Sequence, residues 1–234
     1  MSPEPAWAYV DTPTGVAGDM LLAALLDMGV PLEVVSAPLA AIGLGEAFSL
    51  RPQESHSAGL RGLRLTVELH ESEPPPRHWR VLAPLLQQAP WPDPLRAKVL
   101  QVFTLLAEAE GRVHGVSAEQ VHFHEVGAVD ALVDVVGVCS ALLHLGIEQL
   151  IATPPPAGHG RVKTAHGLLP LPAPAVLEIA RSHAIPLASS EGFPASELTT
   201  PTGLALLAAW VIRWGPPPAH TPQNLGIGLG HRQL

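Results

Sequence analysis

Lysine is almost missing from this 234-residue chain: only Lys98 and Lys163 occur, and the formal net charge is −8. A groove that tracks nucleic-acid phosphates needs clustered cations, so no nucleic-acid partner is expected. Cysteine is reduced to Cys139, which excludes an internal disulfide; it lies in an apolar run, where a thiol is expected to be buried and inert. No stretch approaches the roughly 18 uninterrupted apolar residues of a membrane span. The N-terminus has no basic region followed by an apolar core and cleavage site. A cytoplasmic protein without a membrane partner is expected. Charged residues make up only 15%, but 47% are apolar and no long polar tract argues for disorder, so a globular chain with a sizeable core follows.

Histidine, by contrast, is plentiful, with twelve residues. Two of them stand in the stretch Val121-His-Phe-His-Glu-Val-Gly-Ala-Val-Asp130. His122 and His124, at i and i+2, project from one face of an extended segment, and Glu125 follows at once. From Val126 the spacing becomes helical, with Asp130 and Asp134 four apart beside an apolar stripe. Carboxylates near a core are costly unless paired, hydrogen-bonded or on a metal. Imidazole with carboxylate suits Ni, Zn, Fe or Mn better than Ca. The alternative is a strand end whose histidines cap carbonyls and a helix whose aspartates form salt bridges.

The order of elements predicts an α/β fold with a mixed, partly parallel sheet flanked by helices; α+β remains open. Ala6 to Val10 reads as a strand delivering Asp11, and the turn after it enters a helix through Leu22, Leu25, Leu26 and Met28. A second helix is expected from Leu32 to Ile42, then strands Phe48 to Glu54 and Leu63 to His70 joined near Ala58 and Gly59. The proline-rich connector 71–77 divides a β-α-β-β part (1–70) from a helical and α/β part (77–234), unless the two form one continuous domain. Helices are expected at 79–89 and from Pro94 to Val113, the latter with Asp93 as N-cap and charges solvating its outer face. Ile147 to Ala152 reads as a strand in a parallel unit, followed by loops at 153–160 and 165–174, a helix at 175–182 and a last helix from Leu204 to Trp214. His159 and His166 are loop candidates. His56, His114, His144, His183, His220 and His231 read as surface or core residues.

Thr-Pro-Thr-Gly occurs twice, at 12–15 and 200–203, each time before an apolar helix. Hydroxyls and free backbone donors at a positive helix end suit a phosphorylated ligand. A favoured N-cap used twice, with glycines serving tight packing, is the other reading.

Together, Asp11 with Thr14-Gly15-Val16-Ala17-Gly18-Asp19-Met20, the histidine segment, Ala165-His-Gly-Leu-Leu-Pro-Leu-Pro-Ala-Pro174, Glu197-Leu-Thr-Thr-Pro-Thr-Gly203 and Gly226-Ile-Gly-Leu-Gly230 resemble the LarC family. These are nickel-insertion proteins that complete the nickel–pincer nucleotide cofactor of lactate racemase. The resemblance implies a CTP-dependent nickel chelatase, a lyase, that places Ni(II) into pyridinium-3,5-bisthiocarboxylic acid mononucleotide. It implies His122, His124, Glu125 and Asp130 on the metal, with Asp11, Asp19, Glu125 and Asp130 in the chemistry and Thr14, Gly15, Gly18, Thr202, Gly203 and His166 on the substrate and its phosphate. The family's histidine-rich run is reduced here to His70 and His78, and its further C-terminal domain, with CTP and Mg or Mn, is expected on a separate partner chain. Lactate racemase is a further expected partner. Two rivals remain: a non-catalytic nickel- and precursor-binding subunit, and a metal-dependent phosphoester hydrolase.

Overall fold

The computed structural model describes residues 6–70, 77–123, 129–164 and 167–232. His124, Glu125 and His166 lie outside the described residues.

The elements follow in the order β1 (Ala6–Val10), α1 (Gly18–Asp27), α2 (Leu32–Ala40), β2 (Phe48–Ser57), β3 (Leu60–Leu69), β4 (Arg77–His78), α3 (Trp79–Gln87), α4 (Asp93–His114), β5 (His122–Phe123), α5 (Val129–His144), β6 (Ile147–Ala152), β7 (Gly158–Thr164), β8 (Gly167–Leu171), α6 (Pro174–Ser182), β9 (Ser196–Glu197), α7 (Pro201–Trp210) and β10 (Val211–Trp214). The mixed α/β class is as the sequence predicts. Its parallel part is a three-stranded sheet in the order β1-β6-β10; β2 and β3 form an antiparallel hairpin, and β7 pairs antiparallel with both β8 and β9.

Helix α5 organises the interior. It is apolar on every face, and from Val129 to Leu142 only Asp130 and Asp134 interrupt its burial. A helix apolar all round has to be wrapped by others. Gly137 lets that happen closely, because a Cβ there would press on Leu22 of α1 and Val35 of α2. Leu22, Leu39 and Leu65 share this core with Phe103, Leu132 and Leu204.

Several expectations are corrected. The last helix ends at Trp210, and Val211–Trp214 forms a strand on the central β6 instead, because the parallel sheet offers that apolar run an edge to pair with. The stretch read as loops at 153–160 and 165–174 contributes the β7–β8 hairpin. Helix α4 starts at Asp93 with Pro92 as N-cap, and Gly115 closes it in the left-handed conformation at φ 68°. Its charges do not all solvate an outer face. Lys98 is half-buried, donates to the Ala209 carbonyl at 2.7 Å and lies 4.5 Å over the Trp210 ring, and burial lowers its pKa. Cys139 is buried as expected, its thiol pushed up to about 12 by burial. Among the described residues no helix is long and apolar enough to cross a membrane.

Candidate functional site

The two identical tetrapeptides meet at the C-terminal edge of the parallel sheet, where open α/β sheets present their ligand crevice. Val16 donates to the Leu198 carbonyl at 3.0 Å, and Thr200 donates to the Val16 carbonyl at 3.0 Å, so a short parallel bridge joins the approaches to α1 and α7. Glycine is required here. Gly15, at φ 99°, lies flat on the Leu198 carbonyl, and a Cβ on Gly203 would stand 2.6 Å from the Val16 carbonyl.

Despite their identity the two copies do different work. Thr200 caps α7, its hydroxyl accepting from the Gly203 N–H at 3.1 Å. Thr12 instead is buried and interlocked with Thr153, through its N–H at 2.8 Å and its hydroxyl at 3.0 Å. In the first copy the helix begins only at Gly18, after an N-cap residue, Ala17, without a side-chain cap. Nor are the donors of α1 spare: the Asp19 N–H is bonded to Asp134, and the Met20 N–H donates to Asp19 Oδ1 at 2.9 Å. The first turn of α1 is therefore a carboxylate site. At α7, Pro201 carries no N–H and those of Gly203 and Leu204 are taken by Thr200, so its start offers a phosphate the N–H and hydroxyl of the half-buried Thr202.

Three carboxylates gather at that first turn. Gly18 packs directly on the Asp134 side chain of α5, where a Cβ would collide with the carboxylate. Asp134 is pushed well above the ordinary carboxylate range, first by burial and then by the like charges of Asp19 and Asp130. Its Oδ1 is sealed from solvent and has no hydrogen-bond partner. Asp19 is raised by burial and by Asp130, with His231 opposing, and Asp130 is raised by burial. His231 Nε2 stands 3.6 Å from Asp19 Oδ2. An orphaned buried carboxylate oxygen among like charges is stabilised by a proton or a cation. Among the described residues, however, no three His, Cys, Asp or Glu side chains converge tightly enough to cage a metal ion by themselves.

The remaining candidates are placed elsewhere. Asp11, exposed at the end of β1, accepts from the Thr153 hydroxyl at 3.2 Å and is not among the charges acting on the Asp19 group. His122 pairs across the β4–β5 ladder with His78, ring centroids 4.2 Å apart, and burial, then His122, lowers the His78 pKa. Phe123, the next residue, turns inward against Trp79 and Phe103. His159 is tied to the Phe193 carbonyl at 2.9 Å, a structural role.

A family profile described as nickel insertion protein matches residues 8–234. The chain belongs to the nickel insertion protein family. Relatives in this nickel insertion family, with names carrying the words nickel insertion protein, include one from Cyanothece sp., 46% identical over 231 residues, and one from Synechococcus sp., 44% identical over 227 residues. A third, from Geobacter sulfurreducens, is 43% identical over 227 residues. Each match covers 97% of this chain but only 56–57% of the relative, so the chain spans little more than half the length of these nickel insertion proteins. No solved structure matches it.

Sequence reasoning marked Asp134 by its spacing from Asp130 as a carboxylate near the core, but did not place it in the site, and it read His231 as a surface or core residue. His231 carries no local signal beyond following the glycine repeat.

Proposed function

We propose that the chain is the nickel-handling part of a CTP-dependent nickel chelatase, which inserts Ni(II) into pyridinium-3,5-bisthiocarboxylic acid mononucleotide to make the nickel–pincer nucleotide of lactate racemase. Within a nickel insertion family, the observation that supports this most is that Gly203 at the start of α7 packs on Val16 and Ala17, the residues just before Gly18, which lies on the Asp134 carboxylate. Nickel is a substrate in this reading. Carboxylates hold the incoming cation, and the phosphate of the mononucleotide meets the Thr202 N–H and hydroxyl at the positive end of α7. Anion and cation then lie side by side, and proximity lowers the barrier to transfer. His122, His124 and Glu125 are assigned to the same cargo on the family resemblance.

The experiment is a binding and transfer assay on the chain with Ni(II) and the pyridinium mononucleotide. Thr202→Val should weaken precursor binding about 5- to 10-fold, the loss of one hydrogen bond to a charged group, without changing nickel affinity. Asp130→Asn should do the reverse. A chain that binds neither nickel nor the mononucleotide would sink the reading.

The limited span of the chain against its relatives favours a second reading, a binding subunit that holds nickel and precursor while the rest of the whole protein, on this polypeptide or a partner, performs the insertion. Full turnover by the chain alone would exclude it.

A further inference from the structure

The glycine repeat near the end of the chain has a geometry of its own. Gly226, Gly228 and Gly230 face α1 at period two, and Cβ atoms at the first two would overlap the Ala24 and Met20 carbonyls. Ile227 and Leu229 face the other way and zip onto β3: Leu63 donates to the Ile227 carbonyl and Leu229 donates to the Leu63 carbonyl, both at 2.8 Å. The Ile227 N–H is held by Asp27 at 2.9 Å, and Arg64 donates to the Gly230 carbonyl at 3.1 Å. This strand is thus clamped between a helix and a hairpin from end to end, and the residue it delivers next is His231.

His231 Nε2 lies 3.0 Å from the Leu65 carbonyl and 3.6 Å from Asp19 Oδ2. Charge-assisted N–H···O⁻ bonds are shorter, about 2.7–2.9 Å, so the second distance is not that of a tight ion pair. Donor atoms that share one octahedral cation at about 2.1 Å stand roughly 3.0 Å apart when adjacent, and somewhat farther in distorted sites. The His231 nitrogen thus stands within ligand spacing of the Leu65 carbonyl and near that of the Asp19 carboxylate, and Asp19 in turn lies beside Asp134, whose Oδ1 is buried without a partner. The His231 ring is half exposed, which leaves solvent access on the open side.

We propose that His231, seated by the glycine strand, completes a divalent transition-metal site with Asp19 Oδ2 and the Leu65 carbonyl, backed by Asp134 and Asp130. The metal takes the Nε2 lone pair of the neutral ring, whose one proton then sits on Nδ1. Imidazole plus carboxylate favours a cation of the nickel and zinc type over magnesium or calcium. The assignment rests on the nickel-handling reading and names the ligands of that cargo.

The test uses the full chain and Ni(II) alone as probe. In calorimetry at constant pH, His231→Gln should weaken nickel binding at least 10- to 100-fold while the melting temperature is kept. On the unaltered chain, brief treatment with diethyl pyrocarbonate followed by mass spectrometry should show His231 protected by Ni(II) and modified without it. Equal modification with and without nickel, or wild-type affinity in His231→Gln, overturns the ligand assignment and leaves the nickel reading standing. An unaltered chain that binds no nickel overturns both.

Discussion

Two carboxylates in this chain, Glu178 on the outer face of α6 and Asp134 inside α5, meet opposite electrostatic fates. Glu178 receives both arms of Arg181, at 3.1 and 2.6 Å, the Ser182 hydroxyl at 3.2 Å and Arg112 at 3.4 Å. Those partners pull its pKa down to about 2, the Arg181 hydrogen bonds first. Asp134 has one backbone donor, two carboxylate neighbours and a sealed, unpartnered oxygen, and is pushed far the other way. The first arrangement serves the fold, since every charge is answered within the protein. The second costs stability until something from outside answers it, which is the mark of a ligand site.

The difference can be broken by mutation, and the largest effect belongs to the clamp that closes the Asp134 corner. Gly228→Ala would force a methyl onto the Met20 carbonyl, and thermal unfolding should show a loss of about 3 kcal/mol, several degrees for a domain of this size.

Next comes Asp134→Asn. Removing an unanswered charge should raise stability at pH 8 by about 1–3 kcal/mol in chemical denaturation, while weakening nickel binding. The sign follows from proton linkage. The native state holds the Asp134 proton to higher pH than the unfolded chain, whose value is near 3.8. Stability is therefore kept below about pH 4 and declines as pH rises from there through the folded-state value. The facing groups, Asp19 on α1, Asp130 on α5 and His231, shape that decline, and the variant should flatten it. A variant no more stable than the unaltered chain at pH 8 would erase the contrast.

Glu178→Gln should act in the opposite direction and more weakly, as surface pairs do. Its folded-state value lies below the unfolded one of 4.5, so its contribution is present above pH 4.5 and fades as pH falls toward 2. Melting temperature against pH for the two variants should give curves of opposite slope.

The smallest effect expected is none. Cys139, buried and raised to about 12, should not react with a thiol reagent at pH 8 in the folded chain and should react once on unfolding.

Much of the fold was legible because local pattern and tertiary need agreed. The short apolar run Ala6–Val10, the strand–helix–strand order that ends in Ile147–Ala152, the apolar stretch of α5, and Gly115 after α4 say the same thing at both levels. Where an apolar run suits helix and strand alike, as at Val211–Trp214, only the free edge of β6 decides. The candidate site was legible in part. Asp19 and Asp130 were found through motif and spacing, and the paired turns do meet, yet the same four letters yield a buried clasp at Thr12 and a helix cap at Thr200, because neighbours decide which hydroxyl stays at the helix end.

By itself the sequence determined the α/β class, the buried central helix, the exclusion of disulfides and the kinship with nickel insertion proteins, since these follow from composition, periodicity and motif order. Only the tertiary structure decided which charges share a space. Asp19 lies near one end of the chain and His231 near the other, and a glycine strand thin enough to lie on a helix backbone is what brings them within 3.6 Å. Electrostatic coupling depends on distance through space, and no local pattern encodes it.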